Sequence, residues 1–232
     1  MAKYKLALIG KNISHSKSPE IYNKLLNNQV EYHLLDYPSI NEIPEMDFFS
    51  KNFDGVSITS PYKEFFIDQV ELIGEAQNLK AINCLVFSQQ KVYGANTDFL
   101  AIKDLLDDYL QKFKIDKFII LGDGVMSRVA EHALLAFSKT PLILSRKRTP
   151  DFHQIDLTDY VGQDYTLVIN TCAREYIYNG LISNKIIFWD FNYNFSSHSE
   201  KLSSRCIYND GFKMLELQAE YALQFWSIKK KI

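Results

Sequence analysis

Two residue types that together can move a proton are present in this chain, a lysine at Lys63 and a carboxylate at Asp98. Lys63 follows Ile58-Thr59-Ser60-Pro61-Tyr62, where proline breaks a strand-like run. Asp98 ends Gly94-Ala95-Asn96-Thr97-Asp98, which closes one strand and opens a long amphipathic helix. An ammonium beside a reacting oxygen can stabilise negative charge and supply a proton, and a carboxylate can orient it. Each residue also has a plainer local reading. A lysine just past a strand end is usually solvated, and Thr97 or Asp98 serves as a helix cap.

Polar side chains in unexpected places extend the pattern. In Ser14-His15-Ser16-Lys17-Ser18-Pro19, Ser18 before Pro19 has the form of an N-cap followed by a first-turn proline. That leaves the Ser16 hydroxyl available for a polyol or a carboxylate. Asn83 sits inside the apolar run Ala81–Phe87. A buried amide there needs partners, in the core or on a ligand.

Apolar runs and turn residues lay out the elements that must position these groups. Lys5–Gly10 reads as a buried strand and Val30–Tyr37 as a second. A weak helix over Ile43–Phe49 is interrupted by Pro44. Asp54–Thr59 alternates like a strand, and a short helix after Pro61 carries Lys63 and Phe66. Ala81–Phe87 returns through Ser88-Gln89-Gln90 into Lys91–Gly94 as a hairpin. The next helix runs to about Lys112, with Leu100, Ile102, Leu105, Leu106 and Leu110 on its buried side. Strands Thr166–Asn170, Lys185–Phe191 and Cys206–Tyr208 follow, and the last helix runs from near Gly211 to Trp226.

Between these, Lys117–Leu121, the turn Gly122-Asp123-Gly124, a helix to about Phe137 and the strand Pro141–Leu144 form one βαβ unit. A glycine turn at a helix start binds phosphate through backbone N–H groups and the helix dipole. Asp123 places a negative charge near that site, and Val125 adds bulk to it. After the second strand comes Ser145-Arg146-Lys147-Arg148. An NAD site calls for an acid there; three cations suit the 2′-phosphate of NADP, because guanidinium groups match phosphate bidentately.

Composition narrows the class. With 232 residues, 47% hydrophobic and 23% charged, the chain has an ordinary balance and enough apolar material for a sizeable core. A net charge of −2 argues against general nucleic-acid binding. No apolar run approaches the roughly 20 residues of a membrane span. Leu6–Ile9 is too short for a signal-peptide core, so a cytoplasmic location is expected. Cys84, Cys172 and Cys206 form no Cys-x-x-Cys pair, so neither a disulfide framework nor a metal site is expected. The tail Lys229-Lys230-Lys231 reads as a short solvated end.

Taken in order, the motifs resemble the shikimate dehydrogenase family. Ser14–Pro19 resembles its substrate-binding serine motif, and Ile58–Glu64 its catalytic-lysine segment. Ala81-Ile82-Asn83 and Gly94–Asp98 resemble its Asn and Asn-Thr-Asp motifs. Asp210-Gly211, followed by Met214, Leu215 and Gln218, resembles its closing segment. The glycine loop is poorer in glycine than the family's, and Cys172-Ala173-Arg174-Glu175 lacks the small residues expected there.

The resemblance implies an α/β fold. An N-terminal α/β substrate domain (1–97 and 211–232) is joined to a Rossmann-type NADP domain (98–210), with the C-terminal helix returning to the first. It implies reversible reduction of 3-dehydroshikimate to shikimate by NADPH, in a monomer or homodimer. Lys63 and Asp98 would be catalytic. Ser16, Ser18, Thr59, Asn83, Tyr193 and Gln218 would bind substrate. Gly122, Gly124, Ser127, Ser145, Arg146, Lys147, Arg148, Asn170 and Thr171 would hold NADP. Two other functions fit the same residues: a quinate-type dehydrogenase of the same fold, and a non-catalytic ligand-binding paralogue.

Overall fold

The computed structural model describes residues 3–88 and 91–228; the Gln89-Gln90 turn and the Lys229–Lys231 tail lie outside the described residues. The chain forms two compact units, Met1–Ala101 with Leu215–Ile232, and Ile102–Met214.

The first unit contains, in order, β1 (Tyr4–Gly10), α1 (Ser18–Leu25), β2 (Val30–Asp36), α2 (Met46–Asn52), β3 (Gly55–Ile58), β4 (Glu71–Leu72), α3 (Ala76–Leu79), β5 (Cys84–Ser88), β6 (Lys91–Ala95) and the start of α4 (Thr97–Lys112). Its six-stranded sheet has the order β2-β1-β3-β5-β6-β4. β1 runs parallel to β2 and β3, while β5 is antiparallel to both β3 and β6. All four residues of β3 are buried because the sheet is covered on both faces. Val56 and Ile58 pack with Phe49 and Phe66 on one side. On the other side Trp226 lies so close over Gly55 that a Cβ there would sit 2.4 Å from the indole, and its Nε1 donates to the Leu85 carbonyl (2.7 Å).

Three expectations shift here. The helix expected at Ile43–Phe49 starts at Met46, because Pro44 holds Ile43 extended and only the chain beyond it is free to coil. The turn carrying Lys63 is a single 3₁₀ turn, Tyr62–Glu64, entered through a cis Ser60–Pro61 bond; Phe66 lies outside it, in the core. On α4, Phe99, Ala101, Ile102, Leu105 and Leu106 are buried, whereas Leu100 is 40% exposed and Leu110 half-buried. The Phe99 side chain takes the place expected for Leu100, since 99, 102 and 106 share a helix face.

The second unit continues with β7 (Ile115–Leu121), α5 (Val125–Ala136), β8 (Leu142–Leu144), β9 (Tyr165–Asn170), β10 (Ile186–Asp190), α6 (Ser196–Leu202), β11 (Ile207–Asn209) and the start of α7 (Phe212–Phe225). The five strands are parallel, in the order β11-β10-β9-β7-β8. From β7 the chain moves one way to β8 and then crosses to β9 on the other side. The topological switch point therefore lies between β7 and β9, where open parallel sheets take their ligands. Leu121, Val168, Ile186 and Phe188 lie in its core. Among the described residues no helix is long and apolar enough to cross a membrane.

Candidate active site

In the first unit the 3₁₀ turn puts Lys63 inside, not on the surface. The Tyr62 ring is buried and its hydroxyl donates to the Tyr37 carbonyl (2.5 Å), while the Lys63 carbonyl accepts from the Ile82 N–H (2.8 Å). With its backbone so held, Lys63 is 8% exposed, Asp98 is 6% exposed, and Lys63 Nζ donates to Asp98 Oδ2. The pair costs desolvation and recovers it only through close geometry. Asp98 also lies in the first turn of α4, where the helix dipole favours a negative charge.

The cap of α4 is not Thr97 or Asp98 but Asn96. Its Oδ1 accepts the Phe99 N–H (3.0 Å) and its Nδ2 donates to the Ala81 carbonyl (3.0 Å). With the cap supplied one residue earlier, the Asp98 carboxylate is left for Lys63. Asn83 stands just before β5 and is 3% exposed. Its Oδ1 accepts the Thr97 N–H (2.7 Å), and its Nδ2 donates to Thr97 Oγ1 (2.9 Å) and Gln218 Oε1 (3.4 Å). The amide thus has core partners and holds Thr97, the residue before Asp98.

The serine loop follows β1, next to the end of β3, where Ile9 faces Ile58. Asp36 pins its start by accepting the N–H groups of Asn12 (2.8 Å) and Ile13 (3.0 Å). Ser18 is the first helical residue rather than the cap, and no side chain caps α1 from position 17. Ser16 takes part of that work, contrary to the expectation of an unused hydroxyl: its Oγ accepts the Ser18 N–H (3.3 Å) and donates to Ser18 Oγ (3.2 Å). Thr59, half-buried, sits at the adjoining strand end with its methyl against Gly10. The serine loop, Thr59 and Asn83 thus stand at the same edge of the first unit's sheet, a polar edge on which side-chain bonds join Ser16 to Ser18, Lys63 to Asp98, and Asn83 to Gln218.

In the second unit the expected cofactor residues divide by role. Gly122 adopts φ +114°, and a Cβ there would sit 2.6 Å from Thr171 Oγ1, so only glycine fits. Gly124 opens α5, and nothing stands within 4 Å of where its Cβ would be. A closely approaching anion would meet the unsatisfied N–H groups of the helix there. Arg146, Lys147 and Arg148 are exposed. Ser127, Ser145, Asn170 and Thr171 are turned inward instead. Ser127 Oγ donates to the Gly122 carbonyl (2.9 Å), Thr171 Oγ1 to the Leu121 carbonyl (2.8 Å), and Ser145 is buried. Asp123 pairs with Lys147 (3.3 Å), whose hydrogen bond, with help from Ser145 and Arg148, holds its carboxyl below the ordinary range. The feared charge at the turn is therefore matched by a cation. Burial pushes the Cys172 thiol up to about 12, which rules it out as a thiolate nucleophile at neutral pH.

Sequence reasoning missed a buried cluster around Asp190 and His198, both fully buried. It also missed Arg174, whose guanidinium donates to the carbonyls of Tyr193 (2.8 Å) and Asn194 (3.1 Å) and covers the Phe195 ring (5.1 Å). Tyr193 is half-buried in the loop after β10. The available signal was an acid ending an apolar strand with a histidine eight residues on, a spacing with no periodic meaning.

The chain's residues 8–85 match the family model described as the shikimate dehydrogenase substrate binding domain. A shikimate dehydrogenase (NADP(+)) of Buchnera aphidicola is 30% identical, with 97% of this chain and 93% of that protein covered. Among solved structures, shikimate dehydrogenase from Aquifex aeolicus shares the fold with a TM-score of 0.79 at 20% identity, covering 99% of this chain and 94% of that one. Shikimate 5-dehydrogenase from Thermus thermophilus, solved in complex with NADP(H) and shikimate, gives 0.76 at 19% identity, covering 99% and 95%. Near-complete coverage at this identity, joined to a polar edge built on a buried Lys–Asp pair, shows that the chain belongs to the shikimate dehydrogenase family.

Proposed function

We propose that this protein catalyses the reversible, NADP-dependent reduction of 3-dehydroshikimate to shikimate. The observation that carries the reading is the buried Lys63–Asp98 pair among hydroxyl and amide side chains. The first unit serves as the substrate domain and the second as the dinucleotide domain. NADPH, when bound, supplies the hydride. The open Gly124 turn and the Arg146–Arg148 cations fit a phosphate-rich cofactor, and Arg146 and Arg148 suit its 2′-phosphate while Lys147 answers Asp123.

As the ketone becomes an alkoxide, the Lys63 ammonium stabilises the oxygen and gives it a proton. Asp98 keeps that ammonium oriented and accepts a substrate hydroxyl. Ser16, Ser18, Thr59, Asn83 and Gln218 of the first unit bind ring hydroxyls and the carboxylate, and Tyr193 is a substrate-binding residue in the same proposal. A site built to hydrogen-bond such groups rejects analogues that lack them. Location in the cytoplasm and a monomeric or dimeric state belong to the same proposal.

The test is the NADPH absorbance band with purified protein, shikimate and NADP⁺, repeated with quinate and with NAD⁺. Turnover fastest with shikimate and NADP⁺ is expected. Turnover with quinate alone transfers the reading to the related alcohol, and no turnover with any pair overturns it.

A further inference from the structure

Asp190 ends β10, and five donors converge on its carboxylate. Oδ1 accepts from Asn170 Nδ2, the Asn192 N–H and Asn192 Nδ2, each at 3.0 Å. Oδ2 receives His198 Nδ1 (2.6 Å) and the Tyr208 hydroxyl (3.3 Å). On the far side of the imidazole, His198 Nε2 accepts the Tyr178 N–H (2.9 Å). That bond leaves the ring proton on Nδ1, so the histidine is a donor to Asp190 in one fixed tautomer.

The two amides that Asp190 holds grip the same residue. Asn170 Oδ1 accepts the Cys172 N–H (3.2 Å), and Asn192 Nδ2 donates to the Cys172 carbonyl (3.0 Å). Arg174 then ties this loop to the carbonyls of Tyr193 and Asn194. Thr171 and Cys172 in turn pack against Gly122. Loops 170–174 and 191–194 are therefore fixed to one another through one buried carboxylate and Arg174, and the first of them packs on the glycine turn.

The position of these loops gives them a job. A dinucleotide lies across the switch point of such a sheet, one nucleotide on each side. With the 2′-phosphate at the end of β8, the other nucleotide falls over the ends of β9 and β10, where these loops stand. We infer that His198, acting through Asp190, is a positioning residue that sets the walls for the nicotinamide half of NADP. This rests on the cofactor reading above.

Calorimetric binding of two ligands tests it: NADP⁺, and adenosine 2′,5′-bisphosphate, which carries only the adenine half. His198→Ala should weaken NADP⁺ by about tenfold, the scale of one hydrogen bond to a charged group partly lost. Its affinity for the bisphosphate should stay within about twofold. His198→Asn, whose Nδ2 can stand where the imidazole Nδ1 stood, should recover most of the NADP⁺ affinity. Asn192→Ala, in a half-buried loop position, should show the same split and serves if His198→Ala does not fold. Equal loss for both ligands, or no loss for NADP⁺ in any variant, overturns the inference. A wild-type protein that binds neither ligand overturns the cofactor reading itself, and that arm is read before any variant.

Discussion

Replacing Lys63 by methionine keeps most of the apolar stem and removes the charged end. Asp98 is then left buried without its cation. Breaking a buried pair in this way typically costs about 3–5 kcal/mol. Solvent screening gives little relief, since the two side chains are 10% and 9% exposed. The N-terminus of α4 does give some, because a carboxylate in the first helical turn gains up to about 2 kcal/mol from the dipole. The net expectation is a loss of about 2–4 kcal/mol, or about 4–16 °C in melting temperature for a chain of this size. Lys63→Met/Asp98→Asn should recover roughly half or more of that loss, since no buried charge remains. Tryptophan fluorescence can assign the transition. Trp226 lies in the core of the first unit and Trp189 in the second, so a Trp189→Phe background isolates the first. If Lys63→Met melts within about 1 kcal/mol of wild type, Asp98 does not depend on Lys63 and the pair has been misread.

Asn96→Ala removes the cap of α4 and the bond to Ala81; it should lower stability by about 1–2 kcal/mol in chemical denaturation, whereas Thr97→Ala should not unseat the cap. Arg146→Ala should raise KM for NADP⁺ at least about tenfold while changing KM for NAD⁺ little, as expected when one charge-assisted phosphate contact is lost. Alkali should destabilise the fold. Burial pushes Cys172 up to about 12 and Cys206 up to about 11, whereas unfolded thiols ionise near about 8.5. Between those values the unfolded state binds fewer protons, so stability present below about pH 8.5 is lost as pH rises. Melting temperatures from pH 8 to about 11 should fall, and less steeply in Cys172→Ala.

Much of this was legible because it rests on periodicity and turn chemistry. The strand–glycine turn–helix–strand unit at residues 117–144 depends on local backbone rules, and its elements lie within two residues of where the sequence puts them. Proline and cap positions were less legible, since one residue of offset changes which side chain does the work. Ser16 took part of the role read for Ser18, and Asn96 that read for Thr97 or Asp98. Lys63 read locally as solvated because nothing in Pro61-Tyr62-Lys63 reports that Tyr62 anchors to Tyr37 and draws the turn inward. The Asp190–His198 cluster was invisible for the same reason. Its five donors come from β9, β11, α6 and the loop after β10, and only the folded sheet brings them together.

The central claim is that Lys63 acts on the reacting oxygen and not merely in holding shikimate. Steady-state turnover of Lys63→Ala, set beside shikimate affinity measured by calorimetry on the same preparation, tests it most directly. Loss of a positioned acid–base group predicts a kcat lower by about 10²–10⁴, with shikimate Kd changed only a few-fold. An unchanged kcat, or a loss carried entirely by Kd, would contradict the account and leave Lys63 as a binding residue.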